Sequence, residues 1–147
     1  MKTRERRAVI TGIGLVSPLG NDVDAFWRAL VAGQSGVTAI PDDLRGGLPV
    51  HAAGLVEDFD FATTVDAVFP RRPRGRLPLF VQYALAAAAD AVRRAGFDLR
   101  AADPDRLGVV IGNGSGGMPY VGPHFEIWRQ RGWAKVDPQM LTQIIPN

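Results

Sequence analysis

The chain has 147 residues, 46% of them hydrophobic and 22% charged, with a net charge of +2, the balance of a globular protein with one domain's worth of core. It contains no cysteine, which excludes disulfides, thiolate metal sites and a thiol nucleophile within these residues. So small a net charge gives no argument for nucleic acid, and two scattered histidines, His51 and His124, make no metal site.

At the N-terminus, basic residues from Lys2 to Arg7 precede the apolar stretch Ala8 to Val16. Thr11, Gly12 and Gly14 break that stretch and Glu5 interrupts the basic run, so a cytoplasmic protein beginning on a strand is expected rather than a signal peptide. No run is long enough to span a membrane. Ala8-Val9-Ile10 reads as a short buried strand and Ser17-Pro18-Leu19-Gly20 as a turn. Asn21 or Asp22 caps a helix whose face is Val23, Phe26, Trp27, Leu30 and Val31, with Gly33 as its stop. Burial of Phe26 or Trp27 there would contribute ~1.5–3 kcal/mol each.

Ser35 to Pro49 reads as loop, Val50 to Val56 as a weak strand, and Glu57 to Phe61 as a surface turn with anchoring aromatics. Phe69 to Pro78 carries three prolines and four arginines and is expected to be an exposed basic loop. Pro78 then opens a helix running to about Ala95, stopped by Gly96. Its alanines make it apolar nearly all round, the pattern of a buried helix. Asp98 to Asp105 is a polar connection. Val109-Val110-Ile111 reads as a buried strand, emptying into Gly112, Gly114, Gly116 and Gly117. A helix over Pro119 to Arg131 follows, with Gly132 as its stop. Asp137-Pro138 begins another, carrying Met140, Leu141, Ile144 and Ile145. The apolar end at Ile-Ile-Pro-Asn suggests a fragment. Alternating strands and helices predict an α/β domain.

The glycine loop admits two readings: a phosphate cradle, or a loop lining a pocket for an uncharged ligand. Gly112, Gly114 and Gly117 literally match G-x-G-x-x-G. Pro119 and Pro123 in the next helix, and the lack of a strand ending in an acidic residue some twenty positions on, weigh against a dinucleotide. No Gly-Lys-Ser/Thr is present for a P-loop.

The opening M-K-T-R-E-R-R-A-V-I-T-G-I-G-L-V-S-P-L-G-N, F-W-R-A-L-V-A-G-Q-S-G-V at Phe26 to Val37, A-G-L-V-E-D-F-D at Ala53 to Asp60, R-L-G-V-V-I-G-N-G-S-G-G at Arg106 to Gly117 and I-I-P-N at Ile144 to Asn147 together resemble the beta-ketoacyl-acyl carrier protein synthases, most of all the type II elongating enzymes. The resemblance implies a thiolase-like α/β fold: the N-terminal half, incomplete, of a five-layered αβαβα architecture. Residues 1–147 would form an N-terminal beta-ketoacyl synthase domain truncated before the nucleophilic cysteine, so none of its residues is catalytic and the fragment alone is inactive.

The complete enzyme would elongate an acyl chain with malonyl-acyl carrier protein in fatty acid or polyketide synthesis. The resemblance implies no cofactor or metal, acyl carrier protein as partner, and a homodimer or ketosynthase heterodimer. By the same resemblance Gly114, Ser115 and Gly116 lie beside the acyl pocket, Ser115 standing where a larger apolar residue is common. Gln139 and Met140 match two residues, often aromatic, that line or gate it. Arg72, Arg76 and Lys135 match basic positions for carrier-protein docking, whereas Leu77-Pro78 replaces a Met-Asp pair common there. Two alternatives stay open: a non-catalytic chain-length-factor-type paralogue and a nucleotide-binding α/β domain. His51 and His124 are expected to be structural or surface residues, Trp27 and Trp128 core, and Trp133 is left unplaced.

Overall fold

The structure, a computed structural model, describes residues 7–65 and 77–145. Two compact units emerge: Met1–Arg72 with Tyr83–Asp98, and Pro73–Gln82 with Leu99–Asn147.

In the first unit, helix α1 spans Val23–Val31. Asp22 rather than Asn21 caps it: its Oδ1 accepts from the Asp24 and Ala25 N–H groups at 3.1 and 2.9 Å, satisfying donors that a helix start leaves unpaired. Asn21 turns away, and its amide donates to the Glu57 carbonyl at 3.1 Å. At the other end Gly33 takes φ 69°, and the Gly33 and Gln34 N–H groups return to the Leu30 and Ala29 carbonyls, a Schellman ending. The half-buried side of α1 is Val23, Phe26 and Ala29. Trp27, expected in the core, is 61% exposed, because the covered stripe of the helix is offset from it.

Strand β1, Val37–Ala39, pairs antiparallel with β2, Ala52–Gly54, with Val37 opposite Gly54 and Ala39 opposite Ala52. Thus the weak strand expected over Val50 to Val56 exists in shortened form. Its partner, and the one-turn helix α2 at Asp42–Arg45, lie in the stretch expected to be loop. Three residues hold too little alternation to be read as a strand without knowledge of the partner.

Asp58 turns the chain at φ 52°, and Phe59 meets Tyr83 edge-on with ring centroids 4.8 Å apart, so the aromatic does anchor this turn. Helix α3, Phe61–Val65, starts at Asp60, whose Oδ1 accepts the Ala62 N–H at 2.9 Å.

Helix α4 spans Leu79–Arg94, close to its expected bounds, and ends at Gly96 with φ 62°. Its alanines permit a close approach: a Cβ on Gly14 would lie 2.0 Å from the Ala87 carbonyl oxygen. Ala86, Ala89 and Asp90 are buried, but Ala88 and Leu79 are exposed, so burial covers one side of the helix and not its whole girth. Asp90 is only 5% exposed. It accepts from Arg93 and, at 3.0 Å, from the Arg94 Nε. Arg94 also reaches Asp22 and, at 3.1 Å, Asp24. A buried carboxylate therefore shares one guanidinium with both acids at the start of α1.

Ala8-Val9-Ile10 and Val109-Val110-Ile111 are not strands. Ile10 is 84% exposed and Val110 99%. A strand needs a neighbour to take its N–H and C=O groups, and among the described residues the ladder is confined to β1 and β2 and a bridge between Ser17 and Gly20. The β-branched side chains state a preference that no pairing here fulfils.

The second unit holds a 3-10 turn at Pro104–Arg106, helix α5 over Met118–Arg131, a 3-10 turn at Trp133–Lys135 and helix α6 over Met140–Ile144. The Tyr120 hydroxyl of α5 accepts the Leu79 N–H at 3.0 Å, closing one of the open donors at the start of α4. Trp128 packs edge-to-face on Phe125 at 5.2 Å yet stays 46% exposed, so it too is not core. The expected basic loop Phe69 to Pro78 falls, up to Arg76, outside the described residues.

The Ala25 N–H bond, helped by Arg94, holds the Asp22 carboxyl below its ordinary value. A carboxyl lowered on folding lends stability that is complete above its unfolded value, about 4, and is lost as pH falls through the lowered folded value. Asp22→Asn keeps a cap oxygen but cannot ionise. Its denaturant midpoint, followed from pH 6 down to roughly 2.5, is expected to fall less steeply than the wild type's. Parallel acid limbs would show that Asp22 is not linked to folding.

Candidate functional site

The glycine loop runs into α5, and its glycines have different duties. Gly112 and Gly114 have open space where a Cβ would stand. Gly116 takes φ 29° beside the Asn113 side chain. Gly117, the N-cap of α5, is buried: a Cβ there would lie 2.2 Å from the Gln143 carbonyl oxygen and 2.3 Å from the Ile144 Cα. The third glycine of the literal fingerprint thus serves close packing of the loop against α6. Ser115 is exposed, and its carbonyl accepts the Met118 N–H at 2.9 Å, which turns the loop into the helix.

Gln139 is the N-cap of α6 and Met140 its first residue. Asp137 organises this start: its Oδ1 accepts the Gln139 N–H at 2.8 Å, and its carbonyl accepts the Met140 N–H at 2.9 Å. The expected Asp137 cap therefore forms, one turn ahead of the helix proper. Met140 lines a groove of about 330 Å³ with Trp133, Ala134, Val136, Asp137, Pro138 and Leu141. This groove is predominantly apolar. Ser115 is not among its lining residues, and Gln139 borders it only in sequence. The loop and α6 meet at Gly117, not at Ser115.

Lys135 is exposed at the end of the 3-10 turn. Arg72 and Arg76 lie outside the described residues. His51 is exposed and its Nδ1 lies 2.9 Å from the Arg45 guanidinium. His124 is buried in α5 with its Nε2 3.2 Å from the Gln143 Oε1. Among the described residues no group of three or more His, Cys, Asp or Glu could hold a metal, and no helix is long and apolar enough to cross a membrane.

Two groupings escaped the sequence reading. One is the Asp90–Arg94 network, whose signal is a lone acid in an alanine face with arginines three and four residues on. The other is the pairing of His124 with Gln143, for which sequence spacing offers no signal.

Comparison with known proteins identifies the family. Residues 5–146 match the family model "Beta-ketoacyl synthase, N-terminal domain". The chain is 38% identical over 143 residues to the 3-oxoacyl-[acyl-carrier-protein] synthase 2 of Coxiella burnetii, covering 97% of this chain and 34% of that protein. It is 33% identical over 145 residues to the enzyme of the same name from Staphylococcus aureus, again with 34% of that protein covered. The chain thus spans about a third of the length of the curated relatives it matches. Among solved structures, a chain of the ishigamide ketosynthase/chain length factor superposes with a TM-score of 0.70 at 28% identity, over 94% of this chain and 33% of that one. The chain belongs to the beta-ketoacyl synthase family and has its thiolase-like α/β fold. That assignment leaves the nucleotide-binding alternative without support.

Gly117→Ala is expected to destabilise the chain by about 1–3 kcal/mol, since the methyl meets backbone that cannot swing aside. Gly114→Ala, with open space around it, should stay within about 0.5 kcal/mol. Urea denaturation of the two variants checks the contrast; equal effects would remove the close approach from the account.

Proposed function

We propose that this beta-ketoacyl synthase domain, residues 1–147, is the N-terminal part of a decarboxylating condensing enzyme that elongates an acyl chain with malonyl-acyl carrier protein. The observation that carries the reading is the family match over residues 5–146 together with relatives named 3-oxoacyl-[acyl-carrier-protein] synthase 2. In such an enzyme a cysteine thiolate takes the acyl group from its carrier thioester, releasing the carrier thiol. Malonyl-carrier then loses carbon dioxide, and its carbanion attacks the acyl-cysteine thioester, expelling the thiolate. These 147 residues have no cysteine, so the nucleophile belongs to a part of the enzyme beyond them. The described chain by itself is inactive in condensation. Its contribution is substrate binding.

In this reading the acyl chain lies along the apolar groove under Met140, with Gln139 as gate, and in the complete enzyme Gly114, Ser115 and Gly116, which do not line that groove, border the acyl chain from the separate loop ahead of α5. The acidic carrier protein docks on Arg72, Arg76 and Lys135, and charge complementarity there chiefly raises the encounter rate. The exposed apolar side chains Trp27, Val31, Phe125 and Trp128 suit a protein whose surfaces are covered by the rest of its fold and by a second ketosynthase subunit, identical or paralogous. We place the enzyme in the cytoplasm. A chain-length-factor-type paralogue is the second reading; the solved structure that resembles this chain is titled for a ketosynthase and a chain length factor together, and it fits the paralogue less well than the condensing enzyme. The residue at the nucleophile position decides between the two.

The direct test is incubation of the complete enzyme with acyl- and malonyl-carrier protein, with the 3-oxoacyl product read by mass spectrometry; no product and no carbon dioxide would overturn the reading. Ser115→Phe adds bulk to the glycine loop and is expected to shorten the accepted acyl chain, visible as a shifted product distribution; an unchanged one would remove Ser115 from the pocket. Charge reversal at Arg72 and Arg76 is expected to raise KM for carrier-bound substrate and to flatten its salt dependence. If both are unaltered, the docking patch is elsewhere.

A further inference from the structure

Three side chains form a directional hydrogen-bond chain from the exposed Asp137, which lines the groove, to the buried His124. Gln143 Nε2 lies 3.3 Å from Asp137 Oδ2, and Gln143 Oε1 lies 3.2 Å from His124 Nε2. A carboxylate only accepts, so Asp137 fixes which end of the Gln143 amide faces it. The other end, Oε1, then faces His124 and only accepts. His124 must therefore donate from Nε2. Its Nδ1 is buried and has no partner among the described residues, and the residue as a whole is 9% exposed. With its second nitrogen unpaired, the imidazole has Gln143 as its one polar hold.

Asp137 lines the groove and organises the start of α6 through Gln139 and Met140. Gln143 lies in the last turn of α6, where its carbonyl abuts Gly117. His124 sits in α5. The chain thus joins the start of a five-residue helix to its last turn, and that turn to a longer helix. So short a helix has little stability of its own, and its position depends on such ties.

We propose that Asp137–Gln143–His124 is a positioning device that holds Met140 at the groove, and that it thereby sets the chain-length preference of the enzyme. None of the three touches reacting atoms; they act through Met140. This inference rests on the groove being the acyl pocket.

Gln143→Met keeps the side chain's length and removes both hydrogen bonds, and His124→Phe removes the donor. His124→Gln replaces the donor at a similar reach. Two readouts are taken in the complete enzyme: amide hydrogen exchange over residues 139–145, and the ratio of kcat/KM for a long to a short acyl-carrier donor. The expected result is faster exchange and a ratio shifted by about two- to ten-fold in Gln143→Met and in His124→Phe, with both restored toward wild type in His124→Gln. Combining Gln143→Met with His124→Phe should add little to either alone. Unchanged exchange would overturn the device. Faster exchange with an unshifted ratio in an active enzyme would overturn the specificity role while leaving the condensing function intact. Failure of the wild-type enzyme to condense any acyl donor would overturn this inference together with the reading beneath it.

Discussion

The buried carboxylate of Asp90 is the constraint on which the first unit depends. A charge taken out of water has to be met by fixed donors, and Asp90 is met by Arg93 and Arg94 from the next turn of its own helix. Arg94 cannot serve Asp90 without also lying beside Asp22 and Asp24. The acids at the start of α1 and the arginines at the end of α4 are each where a helix dipole favours them. One guanidinium thus couples two helix ends that are 70 and more positions apart in the chain. Removing Arg94 or Arg93 leaves the buried charge short of compensation, which is the costly way to break such a group. The close approach of Gly14 to Ala87 can then be read as the steric counterpart of this electrostatic tie, since both fix the N-terminal segment against α4.

Helices α1, α4 and α5 were legible because their information is local. Asp22, Gly33, Pro78, Gly96 and Gly132 mark ends by chemistry that acts within one turn. The strands were less so, because strand formation depends on a partner whose position no local pattern states. Val37–Ala39 forms a strand from three residues that looked like loop, while Val109–Ile111, with stronger β-branched character, forms none. Trp27 shows the same limit on a helix: its period placed it on the apolar face, but which part of that face is covered depends on a neighbour.

The candidate site was legible in part. Resemblance pointed to the glycine loop and to Gln139 and Met140, and Met140 does line an apolar groove. The role of Gly117 was concealed within a motif that matched a nucleotide fingerprint letter by letter. Its real constraint, a helix backbone lying where a Cβ would be, is a property of distance and leaves no mark on composition. His124 looked like a lone histidine, since Gln143 is not at helical spacing from it and only the packing of α5 and α6 makes them a pair.

The unpaired segment Val109-Val110-Ile111 has a consequence for handling the protein. Its β-branched side chains and open backbone groups are what an incoming strand needs as a template, and no charged residue interrupts the three. A segment of this kind invites edge-to-edge pairing unless another part of the fold covers it. A lysine at Val110, whose side chain faces open solvent, would act as a gatekeeper against it.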